Sequence, residues 1–120
     1  MKLHDTEARV TDAATGGQKG RKATRPGMLD PVALIELSRV AGMGADKYAP
    51  FNYRRGYNWS LSFDAMMRHA LLFWSGEDLD PESGLPHMAH AAWMALSLVS
   101  FLDRRVGNDD RPPAAQDDPE

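Results

Sequence analysis

The chain has no cysteine, which excludes a disulfide framework and any thiolate zinc site and fits a reducing interior. It has no strong charge of one sign either: 14 Lys and Arg against 17 Asp and Glu leave a net charge of −3, so no basic field argues for nucleic acid. A phosphate-cradling Gly-x-x-x-x-Gly-Lys loop and a Gly-x-Ser-x-Gly elbow are both missing, which removes the P-loop and serine-hydrolase scaffolds. Residues 1–7 offer no apolar signal region, so secretion is not expected. From Leu85 to Leu102 no residue carries a formal charge, yet Pro86, His87, His90, Ser97 and Ser100 punctuate the run. A buried helix fits it better than a membrane span, and a cytoplasmic location is expected.

What is present is compact. At 120 residues the chain is one domain at most, and polar ends leave roughly 80 residues to build a core and a pocket. So small a core favours a homo-oligomer. Residues 1–27 read as a flexible basic arm, 28–106 as the folded domain and 107–120 as a disordered acidic tail. No strand alternation or internal repeat is evident, and three helical segments give an all-α class, a small bundle with a long aromatic connection.

The first helix opens with Asp30 as N-cap and Pro31 at its first position, and glycines 42 and 44 predict its end. Glu36 shares the apolar stripe of Val32 and Val40, an unusual place for a carboxylate. A second helix is predicted from Asn58 or Ser60 to Gly76, burying Phe63, Met66, Met67, Ala70, Phe73 and Trp74. His69 lies on its inner side, where a lone histidine is more often a hydrogen-bonded core residue than a ligand. A third helix is predicted from Ser83 or Gly84 to about Arg105, apolar nearly all round and therefore in need of a partner.

Chemistry concentrates between the last two helices. Glu77, Asp78, Asp80 and Glu82 precede His87 and His90, and residues three apart share one helix face. Hard oxygen donors of this kind suit Mg²⁺ or Mn²⁺, whereas the alternative is a capped, hydrogen-bonded helix start. A calcium loop does not fit: Gly84 falls one place late, Pro81 interrupts, and Ala89 stands where a closing glutamate belongs. Residues 45–59 hold aromatic and cationic side chains together, as a site for a base with phosphates attached would require, or as a plug for a small core.

The succession of residues 44–48, 52–56, Arg68-His69 and 76–93 resembles the phage-type dATP/dGTP diphosphohydrolases, relatives of the all-α, MazG-like nucleotide pyrophosphohydrolases. The likeness covers about residues 18–103, with 76–90 its most specific part. Where the family carries tryptophan after the connection's asparagine, Tyr53 keeps an aromatic face. The MazG-type cluster of glutamates on one helix is missing, and Glu36 stands alone.

This resemblance implies cleavage of a deoxypurine nucleoside triphosphate into monophosphate and pyrophosphate, with Mg²⁺ or Mn²⁺. It assigns Glu36, Glu77 and Asp80 to metal, and Glu77, His87 and His90 to catalysis, the two histidines as metal ligands or as a general base. Lys47, Arg55 and Arg68 would hold phosphates. Tyr48, Asn52, Tyr53 and Trp59 would contact base and sugar, and Lys19, Arg21 and His69 would complete substrate binding. The alternatives are a non-catalytic module that binds a nucleotide or a partner helix, and nucleic-acid binding through the basic arm.

Overall fold

The computed structural model describes residues 1–113; the part of the expected acidic tail from 114 to 120 lies outside them. Two compact units are present, one of residues 1–31 and a second that begins at Val32.

The first unit corrects the all-α expectation. Strands β1 (Glu7–Thr11) and β2 (Gln18–Lys22) pair antiparallel, with Val10 opposite Lys19 and Ala8 opposite Arg21. Both strands are polar and mostly exposed, so no alternating apolar pattern announces them. The signal lies in the turn. Asp12 Oδ1 accepts the backbone N–H groups of Ala14 and Thr15, each at 2.9 Å, and Gly16 takes φ +76°. An aspartate that folds its own backbone and a glycine at positive φ are the usual materials of a chain reversal. The molecule is thus mainly helical with one two-stranded sheet.

The second unit holds α1 (Pro31–Lys47) from its second residue on, a 3-10 turn at Asn52–Arg55, α2 (Trp59–Trp74) and α3 (His87–Arg104). Helix α1 runs through Gly42 and Gly44 and ends three residues later. An interior glycine costs about 1 kcal/mol relative to alanine, too little to break a helix that has Ala41, Met43 and Ala45 around it. Helix α3 begins at His87, later than the sequence suggests. A residue before proline disfavours the helical region, and Gly84 sits at φ +73°, so residues 83–86 turn and do not wind.

Helices α2 and α3 form the principal contact, and α3 also meets the 3-10 turn. Their seam is narrow and partly polar. Ser62 and Ser97 are fully buried with their hydroxyls 3.0 Å apart, and the Tyr57 hydroxyl lies 2.6 Å from Ser62. Ser97 closes the chain by donating to the Met94 carbonyl at 2.7 Å. Phe101 and Trp59 supply the apolar bulk, with Tyr57 edge-on to Phe101. Most of the side expected to be buried on α2 faces outward instead: Phe63, Met67, Phe73 and Trp74 are exposed, Trp74 at 85%. No helix among the described residues is long and apolar enough to cross a membrane.

The chain after α3 returns to the start of α2. Asn108 exchanges backbone hydrogen bonds with Tyr57 and Trp59, at 3.1 and 3.0 Å, and the Asp110 carboxylate accepts the Ser60 N–H at 2.9 Å. A carboxylate at that end satisfies an orphan donor and opposes the helix dipole. The approach depends on two glycines at positive φ. A Cβ on Gly107 would stand 2.4 Å from the Tyr57 carbonyl oxygen, and one on Gly56 would stand 2.3 Å from the Gly107 nitrogen.

Candidate functional site

At the opposite end of the helical pair, three histidines meet. His69 comes from the third turn of α2, while His87 and His90 occupy the first turn of α3. The link between the helices is fixed by its own hydrogen bonds. Gly76 ends α2 at φ +109°, and the Glu77 N–H reaches back to the Leu72 carbonyl at 3.1 Å. Asp80 Oδ1 accepts the Glu82 N–H at 2.9 Å, the Asp80 N–H donates to Leu85, and the His87 N–H donates to Asp78. Backbone pairing of this density holds the carboxylates in place without regular secondary structure.

His87 is essentially inaccessible, and both of its ring nitrogens are engaged. Its Nε2 lies 2.6 Å from Glu77 Oε1 and its Nδ1 lies 2.9 Å from His69 Nδ1. His69 and His90 stack nearly parallel. His90 Nε2 is 2.7 Å from the Ser83 hydroxyl and 3.6 Å from Asp80 Oδ2.

Burial holds His69 below the ordinary imidazole pKa, reinforced by His90 and opposed by Asp80. Burial likewise lowers His90, against the pull of Asp80. Both rings are therefore neutral at pH 7, the form that can offer a lone pair to a cation.

His69, Asp80 and His90 each place one donor atom within 4.8 Å of the others. Two neutral imidazoles and a carboxylate are donors that fit a divalent first-row metal. Of the residues expected at the metal, Asp80 belongs to this group, and so does His90, expected as a ligand or a general base. Glu77 instead faces His87, and Glu36, on α1, pairs with Arg39 one turn along the same helix. His69 was expected to bind substrate, and Ser83 was expected only as a possible helix start. His69 has no local signature as a site residue because its place depends on α3 turning back along α2, and Ser83 has none because its contact with His90 depends on the turn before α3.

The remaining expected site residues are spread more widely. Arg68 is exposed beside His69. Lys47 ends α1 with its ammonium 5.3 Å from the centre of the Tyr48 ring, and both are exposed. Asn52 and Tyr53 are half-buried in the 3-10 turn, where Tyr53 packs edge-on against Trp93 at 5.0 Å. Arg55 is exposed. Trp59 is buried and donates its indole N–H to the Val106 carbonyl at 2.9 Å, so it braces the return of the chain. Lys19 and Arg21 lie on β2.

Residues 13–111 match the family described as dATP/dGTP diphosphohydrolase, N-terminal. The chain is also similar to a dATP/dGTP diphosphohydrolase of Salmonella phage PMBT28, at 36% identity over 84 residues. That stretch is 70% of this chain but 29% of the relative, so the chain spans less than a third of the protein it matches. No solved structure matches.

Proposed function

The chain belongs to the dATP/dGTP diphosphohydrolase, N-terminal, family, and from that premise we propose that it hydrolyses dATP and dGTP to the monophosphate and pyrophosphate, using a divalent cation held by His69, Asp80 and His90. The observation that carries this reading is the meeting of those three donors inside the matched region. A cation there would polarise a phosphate oxygen and make a bound water a better nucleophile. Two nitrogen donors and one oxygen favour Mn²⁺ over Mg²⁺, which prefers an all-oxygen shell.

The protein's own groups supply binding and charge. Arg68, next to His69 in the chain, would neutralise phosphate, with Lys47 and Arg55 as further cations. The exposed face of Tyr48 offers a platform for a base and Asn52 offers amide hydrogen bonds. Tyr53 and Trp59 support the surrounding structure, given their packing on Trp93 and Val106.

A second copy of the chain completes the domain in this reading. Support comes from the apolar surface that α1 and α2 leave exposed, including Val32, Ile35, Leu71 and Trp74.

The decisive measurement incubates the protein with dATP, dGTP and the other common nucleoside triphosphates in Mn²⁺ or Mg²⁺, and separates the products by ³¹P NMR. Pyrophosphate and monophosphate are expected, most rapidly from dATP and dGTP with Mn²⁺. Orthophosphate as the only inorganic product would refute the bond assignment, and tight nucleotide binding without turnover would favour a binding module.

A further inference from the structure

We propose that Glu77 and His87 are positioning residues that act through His69: they hold the His69 ring proton on Nδ1, so that its only lone pair is on Nε2 and faces outward from the relay. The inference rests on the reading of His69, Asp80 and His90 as a cation site, and it says what makes His69 a competent donor there.

The argument is one of hydrogen-bond direction. A carboxylate accepts and does not donate, whereas a neutral imidazole has one N–H and one lone pair. Glu77 Oε1 lies 2.6 Å from His87 Nε2, so the single proton of a neutral His87 is on Nε2. Its Nδ1 is then a lone pair. The partner of that lone pair, 2.9 Å away, is His69 Nδ1. Two lone pairs cannot face one another at that distance, and neither can two N–H groups. With a neutral His87, His69 donates from Nδ1, and Nε2 is left as its acceptor. Without Glu77 the pair could reverse, with His87 donating from Nδ1 and His69 carrying its proton on Nε2, where it could bind no cation.

Glu77 and the middle member, His87, are both anchored by backbone. The Glu77 N–H is tied to the Leu72 carbonyl of α2, and the His87 N–H is tied to Asp78 at 3.0 Å. His87 is buried at 1% exposure, so water does not compete for its Nδ1 bond. A carboxylate orienting a metal-binding histidine is a common device, and removing such a partner typically costs about 10–100-fold in metal affinity. Here a second imidazole is interposed, so the direction passes across two rings.

The test uses the metal-free full chain with ¹⁵N-labelled histidine at neutral pH, and reads each tautomer from long-range ¹H–¹⁵N correlations. His69 is expected as the Nδ1–H form and His87 as the Nε2–H form. In Glu77→Gln, whose amide can donate as well as accept, His69 is expected to populate both forms. Its Mn²⁺ affinity, followed by the loss of the free-ion EPR signal, is expected to fall about 10–100-fold, and Glu77→Asp to restore the tautomer. A purely structural role for Glu77 would leave the tautomer unchanged. A protonated Nε2 on His69 in the unaltered protein, or a Glu77→Gln variant with unchanged tautomer and affinity, would overturn the proposal. Failure to hydrolyse any nucleotide, with the tautomers as expected, would instead count against the proposed reaction and leave the relay standing.

Discussion

His69 and His90 stack face to face, with ring centroids 4.5 Å apart and planes 8° from parallel. Two imidazolium charges at that separation repel, and burial adds to the cost of charging either ring. The contact between α2 and α3 thus keeps a pair of neutral nitrogen bases together at neutral pH.

Stability should fall on mild acidification. Both histidines have folded pKa values below the ordinary one, so the unfolded chain binds more protons as pH drops through about 6.5. Their contribution is complete above that value and is lost progressively below it. Thermal melts of the chelator-treated protein should show a midpoint that declines between pH 7.5 and 5.5, with His90→Gln giving a shallower decline. A midpoint independent of pH over that interval would contradict the burial of these rings.

Asp80→Asn should weaken Mn²⁺ binding by about tenfold or more while leaving the fold intact. The amide oxygen can still accept the Glu82 N–H that organises the loop, so the lost property is the anionic donor. Pyrophosphate release should fall in parallel, and chelation should abolish it in the unaltered protein. Isothermal titration with Mn²⁺ and circular dichroism together separate lost ligation from lost structure.

Gly107→Ala should destabilise the protein by about 1–3 kcal/mol, the range for a residue forced into a disfavoured backbone conformation. Its φ is +76° and the added Cβ would meet the Tyr57 carbonyl oxygen. Urea denaturation should show a lower midpoint with little change in slope. A midpoint within error of the unaltered protein would mean that the return of the chain onto α2 contributes nothing.

Association should depend on the outer face of α2. Sedimentation velocity is expected to show a species heavier than one chain, and Leu71→Glu or Trp74→Glu should shift it towards the monomer. Leu71 and Trp74 are 61% and 85% exposed in the single chain, so neither change disturbs the interior. A monomer across the micromolar range would remove the second copy from the site's description.

Sequence patterns located the three helices because caps and apolar spacing are local properties. They misplaced boundaries where local signals conflict: the glycines of α1 were too weak a stop, and Pro86 delayed α3. The hairpin stayed hidden because its strands bury nothing, leaving only the Asp12 turn as a cue. In the site, His87 and His90 were legible as one helix face and Asp80 as a loop carboxylate. Their union with His69 was not, since it depends on how two helices dock. The hydrogen bond of Trp59, a residue the resemblance implied as a base or sugar contact, was not legible for the same reason, because its partner, Val106, arrives from the far end of the chain.

The two ends of the helical pair differ in how much chain must be organised to make them. His69 and His87 are separated by 18 residues, and every proposed cation donor comes from one continuous stretch, whereas Asn58 and Asn108 are separated by 50. Closing a loop costs more entropy as it lengthens, and contacts close in sequence tend to form sooner. The histidine cluster is therefore placed to assemble early, as part of a nascent helical hairpin, with the glycine-dependent closure following. A substitution at Gly107 would accordingly be felt mainly in how fast the molecule opens, and one in the 69–87 loop in how fast it forms.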